Sequence, residues 1–393
     1  MSNGSKWRVL QMIRSLDIAG AEKYGIELAR SLPRDQFDIQ ICAFFETHTE
    51  NEVYWRNLLN AEKIDVVSFG DINTSRRMQN YISGYTKLSK FVQKNQVDLI
   101  HSHFSMGTMM GILLKDAGLT QYLIRTAHGL SRYEWSPRWY SKPWRWLLFQ
   151  WVYPARLDGE TGVSEMVASE LQEPHRLSRC ARKPRMIHNG ISAEFIQAAR
   201  AAPKIHEDSE YLLIGSIGRL TEQKGFIYLI QAMPLLISSL PKLKLEILGE
   251  GELKDALLAE IEKLGLQDTV KILGKQSDVI PFLKRLDLFV LPSLWEGLPT
   301  IALESMACGT PVLATDIPGT RELIVHEVSG WLVEPANPAA LAAGIKHVLD
   351  SLETLTRVSL LAQEQVEQFS FSKITAEISQ FYQSILTGEA GTH

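Results

Sequence analysis

Two glutamates lie in the most strongly patterned segment of the chain. Glu296 and Glu304 belong to the run 288–315 (LFVLPSLWEGLPTIALESMACGTPVLAT), whose pattern predicts a buried strand, a loop and a helix that begins at Pro299–Thr300. Ligands of open parallel sheets bind beyond the carboxyl ends of the strands, and the first amides of a helix suit a phosphate. The two carboxylates could accept hydrogen bonds from sugar hydroxyls, although their spacing fits two accidental surface glutamates equally well.

A second cluster combines two cations with flexible backbone. Arg219 and Lys224 follow a predicted strand in the run 214–229 (IGSIGRLTEQKGFIYL), beside Gly218 and Gly225. Arginine and lysine donate charge-assisted hydrogen bonds to phosphate oxygens. This pattern favours a diphosphate site, and a solvated basic loop is the alternative interpretation.

Glycines mark further turns where backbone could approach a ligand. Gly20 in DIAGAEKY falls at the first predicted strand-to-helix turn. The run ILGEGEL, with Gly249 and Gly251, does not match the full dinucleotide fingerprint, and neither does any other stretch. A dinucleotide cofactor is therefore not predicted.

Alternating strands and helices must position these side chains. Strands are predicted at 7–13, 37–45, 97–101, 122–128, 186–188, 211–217, 243–248, 270–273, 286–291 and 310–314, with helix-patterned segments between many of them. This alternation predicts parallel sheets covered by helices. The expected fold class is α/β, with Rossmann-like domains at 1–190 and 211–370, a polar linker at 191–210, and a C-terminal helix within 371–393 that returns to the first domain.

Length and composition exclude several classes of protein. The 393 residues are 45% hydrophobic and 22% charged, which is typical of folded soluble domains rather than of disordered, collagen-like or coiled-coil chains. Cys42, Cys180 and Cys308 are too far apart to predict a disulfide framework or a metal site. Because the sequence shows no signal peptide and no spanning segment, we expect a cytoplasmic protein.

The charge is unevenly distributed along the chain. Residues 1–200 carry a net charge of +6 and residues 201–393 a net charge of −10. A basic half can face an anionic membrane. No nucleic-acid partner is expected, because no motif of that kind accompanies the charge.

Residues 131–156 form an aromatic and basic segment that few soluble loops resemble. It holds five of the nine tryptophans: Trp135, Trp139, Trp144, Trp146 and Trp151. Aromatic rings prefer the membrane interface and cations attract anionic headgroups. The segment therefore predicts peripheral contact with the inner face of the plasma membrane. A helix packed in the domain, with its arginines solvated, is the alternative.

Nine short motifs follow one another along nearly the whole chain. They are DIAGAEKY, DLIHSHF, TAHG, GVSE, IHNGI, IGRLTEQKG, ILGEGE, LGKQSDV and LPSLWEGLPTIALESMACGTPVLATD. Read together, they resemble the retaining glycosyltransferases of family four, and the Glu-x7-Glu and Arg-x4-Lys-Gly spacings are the most specific. The resemblance implies the GT-B fold, with a cleft between two Rossmann-like domains, and a nucleotide-diphosphate sugar as the donor substrate.

The resemblance also implies a role for each matching residue. Arg219 and Lys224 would hold the diphosphate, Glu304 would bind the ribose, and Glu296 would contact the transferred sugar. The backbone around the phosphates would be that of Gly297, Leu298, Pro299 and Thr300, and the contacts to the base would come from Gly274, Lys275 and Gln276. Gly20 would let its loop approach the diphosphate, and His128 in TAHG would lie near the reacting centre.

Two departures from the family pattern concern loop geometry. The chain has Ala19-Gly20 where the family often has two glycines, and Pro318-Gly319 where a double glycine is common.

Such enzymes transfer a sugar with retention at the anomeric carbon. The resemblance implies a front-face route through an oxocarbenium-like species, in which the leaving diphosphate takes the acceptor proton and no protein nucleophile is needed. The chain has no Asp-x-Asp motif, and the strand-end pair His101 and His103 lacks a third ligand in sequence. No metal and no cofactor beyond the donor are therefore expected.

The expected function is transfer from a UDP- or GDP-sugar to a glycan or lipid-linked acceptor in bacterial cell-surface polysaccharide or lipopolysaccharide biosynthesis. A nucleotide-sugar epimerase or a soluble small-glycoside synthase on the same fold is one alternative, and the aromatic segment argues against it. An inactive scaffold subunit is another. The presence of Arg219, Lys224, Glu296 and Glu304 argues against that second alternative.

Overall fold

The computed structural model of the protein describes residues 6–17, 20–72, 77–130, 146–205 and 211–388. The chain divides into two compact units: unit 1 is Met1–Asn189 with Phe371–His393, and unit 2 is Gly190–Ser370. Each unit is built on a parallel sheet covered by helices, as the alternating pattern predicts.

The main sheet of unit 1 is parallel throughout. Its strands, together with the small pair β3 and β5, are β1 (Trp7–Ile13), β2 (Phe37–Ala43), β3 (Phe45–Glu46), β4 (Asp65–Val67), β5 (Gly70–Asp71), β6 (Leu99–Ser102), β7 (Tyr122–Ala127), β8 (Gly159–Gly162) and β9 (Arg185–Met186). The order is β4-β2-β1-β6-β7-β8-β9, so the direction of winding reverses between β1 and β6. That reversal is where open α/β sheets bind ligands.

The helices of unit 1 include the last one of the chain. The α-helices in the described part of unit 1 are Gly20–Ser31, Glu50–Ala61, Arg77–Asn95, Ser105–Asp116, Tyr153–Arg156, Glu165–Leu171, Pro174–Leu177 and Phe371–Leu386, and a π-helical turn, Leu148–Val152, precedes Tyr153–Arg156. Helix Phe371–Leu386 packs against helix Gly20–Ser31, and its Ile374, Ile378 and Phe381 are buried in the same core as Ile13. The predicted return of the C-terminal helix to the first domain is confirmed.

The sheet of unit 2 is also parallel throughout. Its strands are β10 (Leu212–Ile217), β11 (Leu243–Leu248), β12 (Val270–Gly274), β13 (Leu288–Leu291), β14 (Val312–Thr315) and β15 (Trp331–Val333). The order β12-β11-β10-β13-β14-β15 is the Rossmann order, with the reversal between β10 and β13. Apolar side chains from these strands fill one core with the surrounding helices.

The α-helices of unit 2 alternate with most of these strands. In the described residues they are Ala193–Ala201, Phe226–Ile237, Lys254–Lys263, Ile280–Arg285, Thr300–Ala307, Pro318–Arg321, Pro338–Leu349 and Leu352–Gln365. Among the helices described in either unit, none is long and apolar enough to cross a bilayer.

The stretch 191–210, predicted as a polar linker, begins with ordered structure of unit 2. Ser192 caps the helix Ala193–Ala201 by accepting a hydrogen bond from the amide of Phe195. Just before it, the amide of Ile191 donates to the carbonyl of Phe369 at 3.0 Å, so the two ends of unit 2 lie side by side. Residues 206–210 lie outside the described ranges.

Candidate functional site

The loops after β10 and β13 meet at the reversal point of the second sheet. Ile214 and Leu288 are register partners of these adjacent strands, and the two loops leave the same edge of the sheet. Lys224 Nζ lies 2.5 Å from Glu296 Oε1, and the exposed fractions of the two side chains are 14% and 8%. Two residues predicted from separate motifs therefore form one largely buried ion pair.

Further hydrogen bonds join the same loops. The Gln223 side chain donates to the carbonyl of Trp295 at 3.0 Å and to Glu296 Oε2 at 3.4 Å. The amide of Leu294 donates to the Gln223 carbonyl at 2.8 Å, and the hydroxyl of Ser293 donates to Glu296 Oε1 at 2.7 Å. Sequence reasoning missed Gln223 and Ser293, although both flank predicted site residues. Together they hold the Glu296 carboxylate in place.

Close backbone packing at glycines brings these loops together. Gly225 has φ +62, and a Cβ there would collide with the carbonyl oxygen of Pro292. A Cβ on Gly319 would lie 2.5 Å from the carbonyl oxygen of Gly297 and 2.8 Å from that of Glu296. The single glycine of Pro318-Gly319 therefore occupies the position that needs one.

The glycines of ILGEGEL support the loop that carries Arg219. A Cβ on Gly251 would lie 2.5 Å from the carbonyl oxygen of Leu220, and one on Gly249 would collide with that of Gly218. The amide of Leu220 donates to the Glu250 carbonyl at 2.9 Å. These glycines permit close packing of two loops, and the Arg219 side chain at the tip is exposed to solvent.

Helix Thr300–Ala307 begins immediately after the Glu296 loop. Pro299 is its N-cap and supplies no side-chain hydrogen bond to the first turn. Gly297, Leu298 and Pro299 are buried, and Thr300 is partly exposed. Glu304 is buried one turn further along. The first amides of such a helix have no partner within the helix, and its dipole favours an anion.

The predicted base contacts lie at the end of β12. Gly274 has φ +78, and its carbonyl accepts a 2.7 Å hydrogen bond from the amide of Gly249. The structure thus connects Gly274, through Gly249, to the loop that carries Arg219. Lys275 and Gln276 follow Gly274 directly and are exposed, so their side chains are open to solvent at this end of the strand.

The other two predicted site residues belong to unit 1. Gly20 is the first residue of helix Gly20–Ser31 and is exposed, and no described atom lies within 4 Å of where its Cβ would be. His128 follows β7, and its ring packs edge-on against Tyr24 with centroids 5.2 Å apart. Its Nδ1 is buried and has no hydrogen-bond partner in the described part of the chain.

A chain of buried polar side chains begins at His128. His128 Nε2 lies 3.3 Å from His103 Nδ1, and His103 Nε2 lies 2.8 Å from Gln11 Oε1. Gln11 Nε2 donates to the hydroxyl of Tyr382 at 2.8 Å, and that oxygen lies 2.6 Å from His101 Nδ1. His101 Nε2 in turn lies 2.7 Å from the Thr126 hydroxyl. The chain of contacts crosses four elements of unit 1.

Burial keeps the three histidines of this hydrogen-bonded path, His101, His103 and His128, neutral. It lowers the pKa of His101 to about 3 and that of His103 well below the ordinary range, with smaller contributions from neighbouring histidines. Burial, followed by the charge of Arg125, lowers the pKa of His128 to about 3. At neutral pH His128 is therefore an uncharged imidazole that can accept one hydrogen bond and donate another.

The pair His101 and His103 is not predicted to bind a metal, because it lacks a third ligand in sequence. Its ring nitrogens bond to Tyr382, Thr126, Gln11 and His128. Within the described ranges, no group of three or more His, Cys, Asp or Glu side chains is arranged to hold a metal ion. The expectation that no metal is needed stays a prediction.

Only the end of the aromatic segment is described. Residues 131–145, with Trp135, Trp139 and Trp144, lie outside the described ranges. The segment is helical from residue 146 to residue 156. One face of it buries Phe149 and Tyr153, and the other leaves 58% of Trp146 and 46% of Trp151 exposed to solvent. The Arg179 guanidinium lies 3.7 Å from the centroid of the Trp151 ring.

Solved structures resemble the whole chain in fold. One is the Anabaena protein HepE in complex with UDP and glucose, with a TM-score of 0.76 and 21% identity over 96% of this chain and all of that one. At this level of identity the likeness concerns the fold, and HepE is similar to this chain over both units.

Curated relatives match part or most of the chain. An uncharacterized glycosyltransferase of Methanocaldococcus jannaschii is 36% identical over 51% of this chain and 54% of its own length, so the chain matches about half of that relative. The Escherichia coli UDP-Gal:alpha-D-GlcNAc-diphosphoundecaprenol alpha-1,3-galactosyltransferase is 26% identical over 81% of each chain.

Family comparisons divide the chain as the two sheets do. Residues 18–195 match the family described as Glycosyltransferase Family 4, and residues 198–365 match Glycosyl transferases group 1. The first match covers most of the first sheet, and the second covers the loops with Arg219, Lys224 and Glu296. The chain belongs to glycosyltransferase family four and has the GT-B fold of two Rossmann-like domains.

Proposed function

We propose that the chain is a retaining glycosyltransferase that moves a sugar from a UDP- or GDP-sugar to a glycan or lipid-linked acceptor. The observation that carries the proposal is the Lys224–Glu296 pair at the reversal point of the second sheet, beside the N-terminus of helix Thr300–Ala307. Cations and a helix N-terminus favour a diphosphate, and a carboxylate suits sugar hydroxyls. These groups lie within one unit.

The charges of this site fit a leaving diphosphate. The Lys224 ammonium has three protons and uses one on Glu296, so two remain for phosphate oxygens. Arg219 is exposed on the same loop and can turn toward a bound ligand. Both cations stabilise the charge that develops on the diphosphate as the glycosidic bond breaks. Glu296, held by Ser293 and Gln223, then orients the sugar rather than attacking it.

The remaining residues take the roles that the family pattern assigns. Glu304 binds the ribose, Gly297 to Thr300 surround the phosphates, and Gly274, Lys275 and Gln276 contact the base. Gly20 lets its loop approach the diphosphate, and His128 lies near the reacting centre. The leaving diphosphate accepts the proton of the acceptor hydroxyl, which agrees with a neutral His128 that is not a strong acid or base.

The proposed acceptor is a glycan or a lipid-linked sugar, as in bacterial polysaccharide or lipopolysaccharide assembly. The Escherichia coli relative supports it, because the name of that enzyme gives a diphosphoundecaprenol-linked acceptor and UDP-galactose. The donor nucleotide UDP is supported by the HepE complex with UDP and glucose. Exposed Trp146 and Trp151 support a peripheral contact of a cytoplasmic enzyme with the membrane's inner face.

Donor binding is tested by thermal shift with a panel of UDP-, GDP- and ADP-sugars. A donor that binds only the folded chain at 100 times its Kd raises the free energy of unfolding by about 2.7 kcal/mol. We expect one nucleotide class to raise the melting temperature of the wild type but not of Arg219→Met. The control Lys271→Met removes an exposed cation from edge strand β12 and should keep the shift.

Turnover separates the proposal from its rivals. Transfer to an added lipid-linked acceptor, with the α-configuration of an α-donor kept in the product, supports it. Conversion of the donor sugar without any acceptor would identify an epimerase instead. A chain that binds no donor and transfers no sugar would be a scaffold.

A further inference from the structure

The buried chain of hydrogen bonds in unit 1 has a direction. Gln11 Nε2 donates to the Tyr382 hydroxyl, so the Gln11 oxygen is left to accept the proton of His103 Nε2. A neutral His103 has only that one ring proton, and its Nδ1 must then accept from His128 Nε2. The proton of a neutral His128 therefore lies on Nε2.

The hydrogen bonds at the other end of this path, around Tyr382 and His101, can run in the same donor-to-acceptor direction. The Tyr382 hydroxyl accepts from Gln11 and has its own proton for His101 Nδ1. His101 then donates from Nε2 to the hydroxyl of Thr126, which lies 2.8 Å from that of Thr161. From His103 to His101, each group donates once and accepts once along this path, and buried polar groups whose hydrogen bonds are satisfied are held firmly.

One polar atom at the end of this path lacks a partner. His128 Nδ1 is buried, carries a lone pair in this tautomer, and has no hydrogen-bond donor in the described ranges. A buried acceptor without a partner destabilises the folded chain, and a ligand's donor can recover that loss. The Tyr24 ring packs edge-on against this imidazole and limits how far it can rotate.

We propose that His103, Gln11 and Tyr382 are positioning residues that keep the His128 proton on Nε2 and present its Nδ1 as an acceptor to a hydroxyl of the donor sugar. The inference rests on the proposed function, which places His128 near the reacting centre. It gives the C-terminal helix Phe371–Leu386 a part in the reaction, because Tyr382 supplies the one phenol of the path.

The tautomer can be read without any substrate. Nitrogen NMR of the full chain, labelled in its histidine rings, distinguishes a protonated ring nitrogen from a bare one, and the spectrum of His128→Gln assigns the His128 signals. We expect Nε2 protonated and Nδ1 bare in the wild type at neutral pH. A wild-type His128 with its proton on Nδ1 would overturn the inference.

Two variants break the path at different points. Tyr382→Phe removes one hydroxyl, and Gln11→Leu removes both hydrogen bonds of the carboxamide at similar volume. In each we expect His128 to populate both tautomers and kcat to fall about 2- to 10-fold, the worth of one hydrogen bond. If one variant fails to fold, the other decides.

Ser102→Ala is the matched control. Ser102, the last residue of β6, is fully buried and lies between His101 and His103 in sequence, but its hydroxyl donates to the Phe104 carbonyl and is outside the path. We expect its tautomers and kcat to match the wild type.

A shifted tautomer with unchanged kcat in Tyr382→Phe would overturn the positioning role. If the wild type transferred no sugar, the proposed function would fail. The NMR measurement would still test whether the path keeps the His128 proton on Nε2.

Discussion

Lys224 and Glu296 are joined by a 2.5 Å ion pair although 72 residues separate them in sequence. Each follows a different strand, and the two strands are neighbours only because the sheet reverses its winding between them. The pair is therefore a product of topology, and both partners are at the place where such sheets bind ligands.

Breaking this pair should affect both folding and donor binding. Lys224→Met leaves the buried Glu296 carboxylate with one hydrogen-bond partner fewer. We expect it to lower the free energy of unfolding of unit 2 by about 1 to 3 kcal/mol. Arg219→Met removes an exposed cation and should weaken donor binding without changing stability. Urea unfolding and donor titration measure the two effects.

A double-mutant cycle checks that the two side chains act together. The double variant combines Lys224→Met with Glu296→Gln. Its loss in free energy of unfolding should be smaller than the sum of the two single-variant losses by about 0.5 to 3 kcal/mol. Additive losses would show that the interaction between the two side chains does not contribute to stability.

The stability of unit 1 should fall as the pH drops below neutral. The folded pKa values of His101 and His128 are about 3, and that of His103 is also strongly lowered, whereas an unfolded histidine titrates near about 6.5. Between these values the unfolded chain binds more protons than the folded one. Stability is complete above about pH 6.5 and is lost at up to roughly 1.4 kcal/mol per pH unit for each histidine as the pH falls.

The urea midpoint of unit 1 from pH 7.5 to 5.5 measures this dependence. His103→Gln removes one of the three groups and should reduce the slope by about a third. A midpoint that does not change over this range would contradict neutral burial of the three rings.

Gly20 and Gly319 should respond in opposite ways to substitution by alanine. No described atom lies within 4 Å of a Cβ on Gly20, so Gly20→Ala should keep the wild-type stability and raise the KM for the donor. Gly319→Ala would push a Cβ against the Glu296 and Gly297 carbonyls, so both stability and turnover should fall. Thermal unfolding and donor kinetics distinguish these cases, and a destabilised Gly20→Ala would refute the first.

Membrane contact through the aromatic segment is tested by vesicle flotation. Trp146→Ser with Trp151→Ser removes two exposed rings, and we expect weaker binding to anionic vesicles. Trp144→Ser extends the test into residues outside the described ranges. The control Leu235→Ser removes an exposed apolar side chain from a helix of unit 2. Equal flotation of the tryptophan variant and the wild type would exclude docking through this surface.

Strands rich in apolar residues were predictable from the sequence alone. The predicted ranges 7–13 and 243–248 coincide with β1 and β11, because alternating or continuous apolar runs are a local property. Strand β8 was missed because its sequence GETG has low strand propensity. A Cβ on Gly159 would collide with the ring of Phe381, so this strand is specified by a helix more than 200 residues away.

The site was predictable only in part for the same reason. Charged residues and glycines mark the loops after β10 and β13, and the resemblance to the family supplied the roles proposed for them. The polar path of Gln11, His101, His103 and Tyr382 has no such signal, since its members are far apart in sequence and resemble ordinary core residues. Their connection depends on the packing of helix Phe371–Leu386 against the first sheet.

The two ends of unit 2 lie side by side, and this arrangement affects synthesis of the chain. Domains usually complete their folding from the N-terminus onward as they leave the ribosome. Here the first 189 residues lack helix Phe371–Leu386 until residues 371–386 have been synthesised, whereas unit 2 is complete once Ser370 has emerged. A nascent chain from which Ser370 has just emerged would thus carry a finished second unit and an unfinished first one.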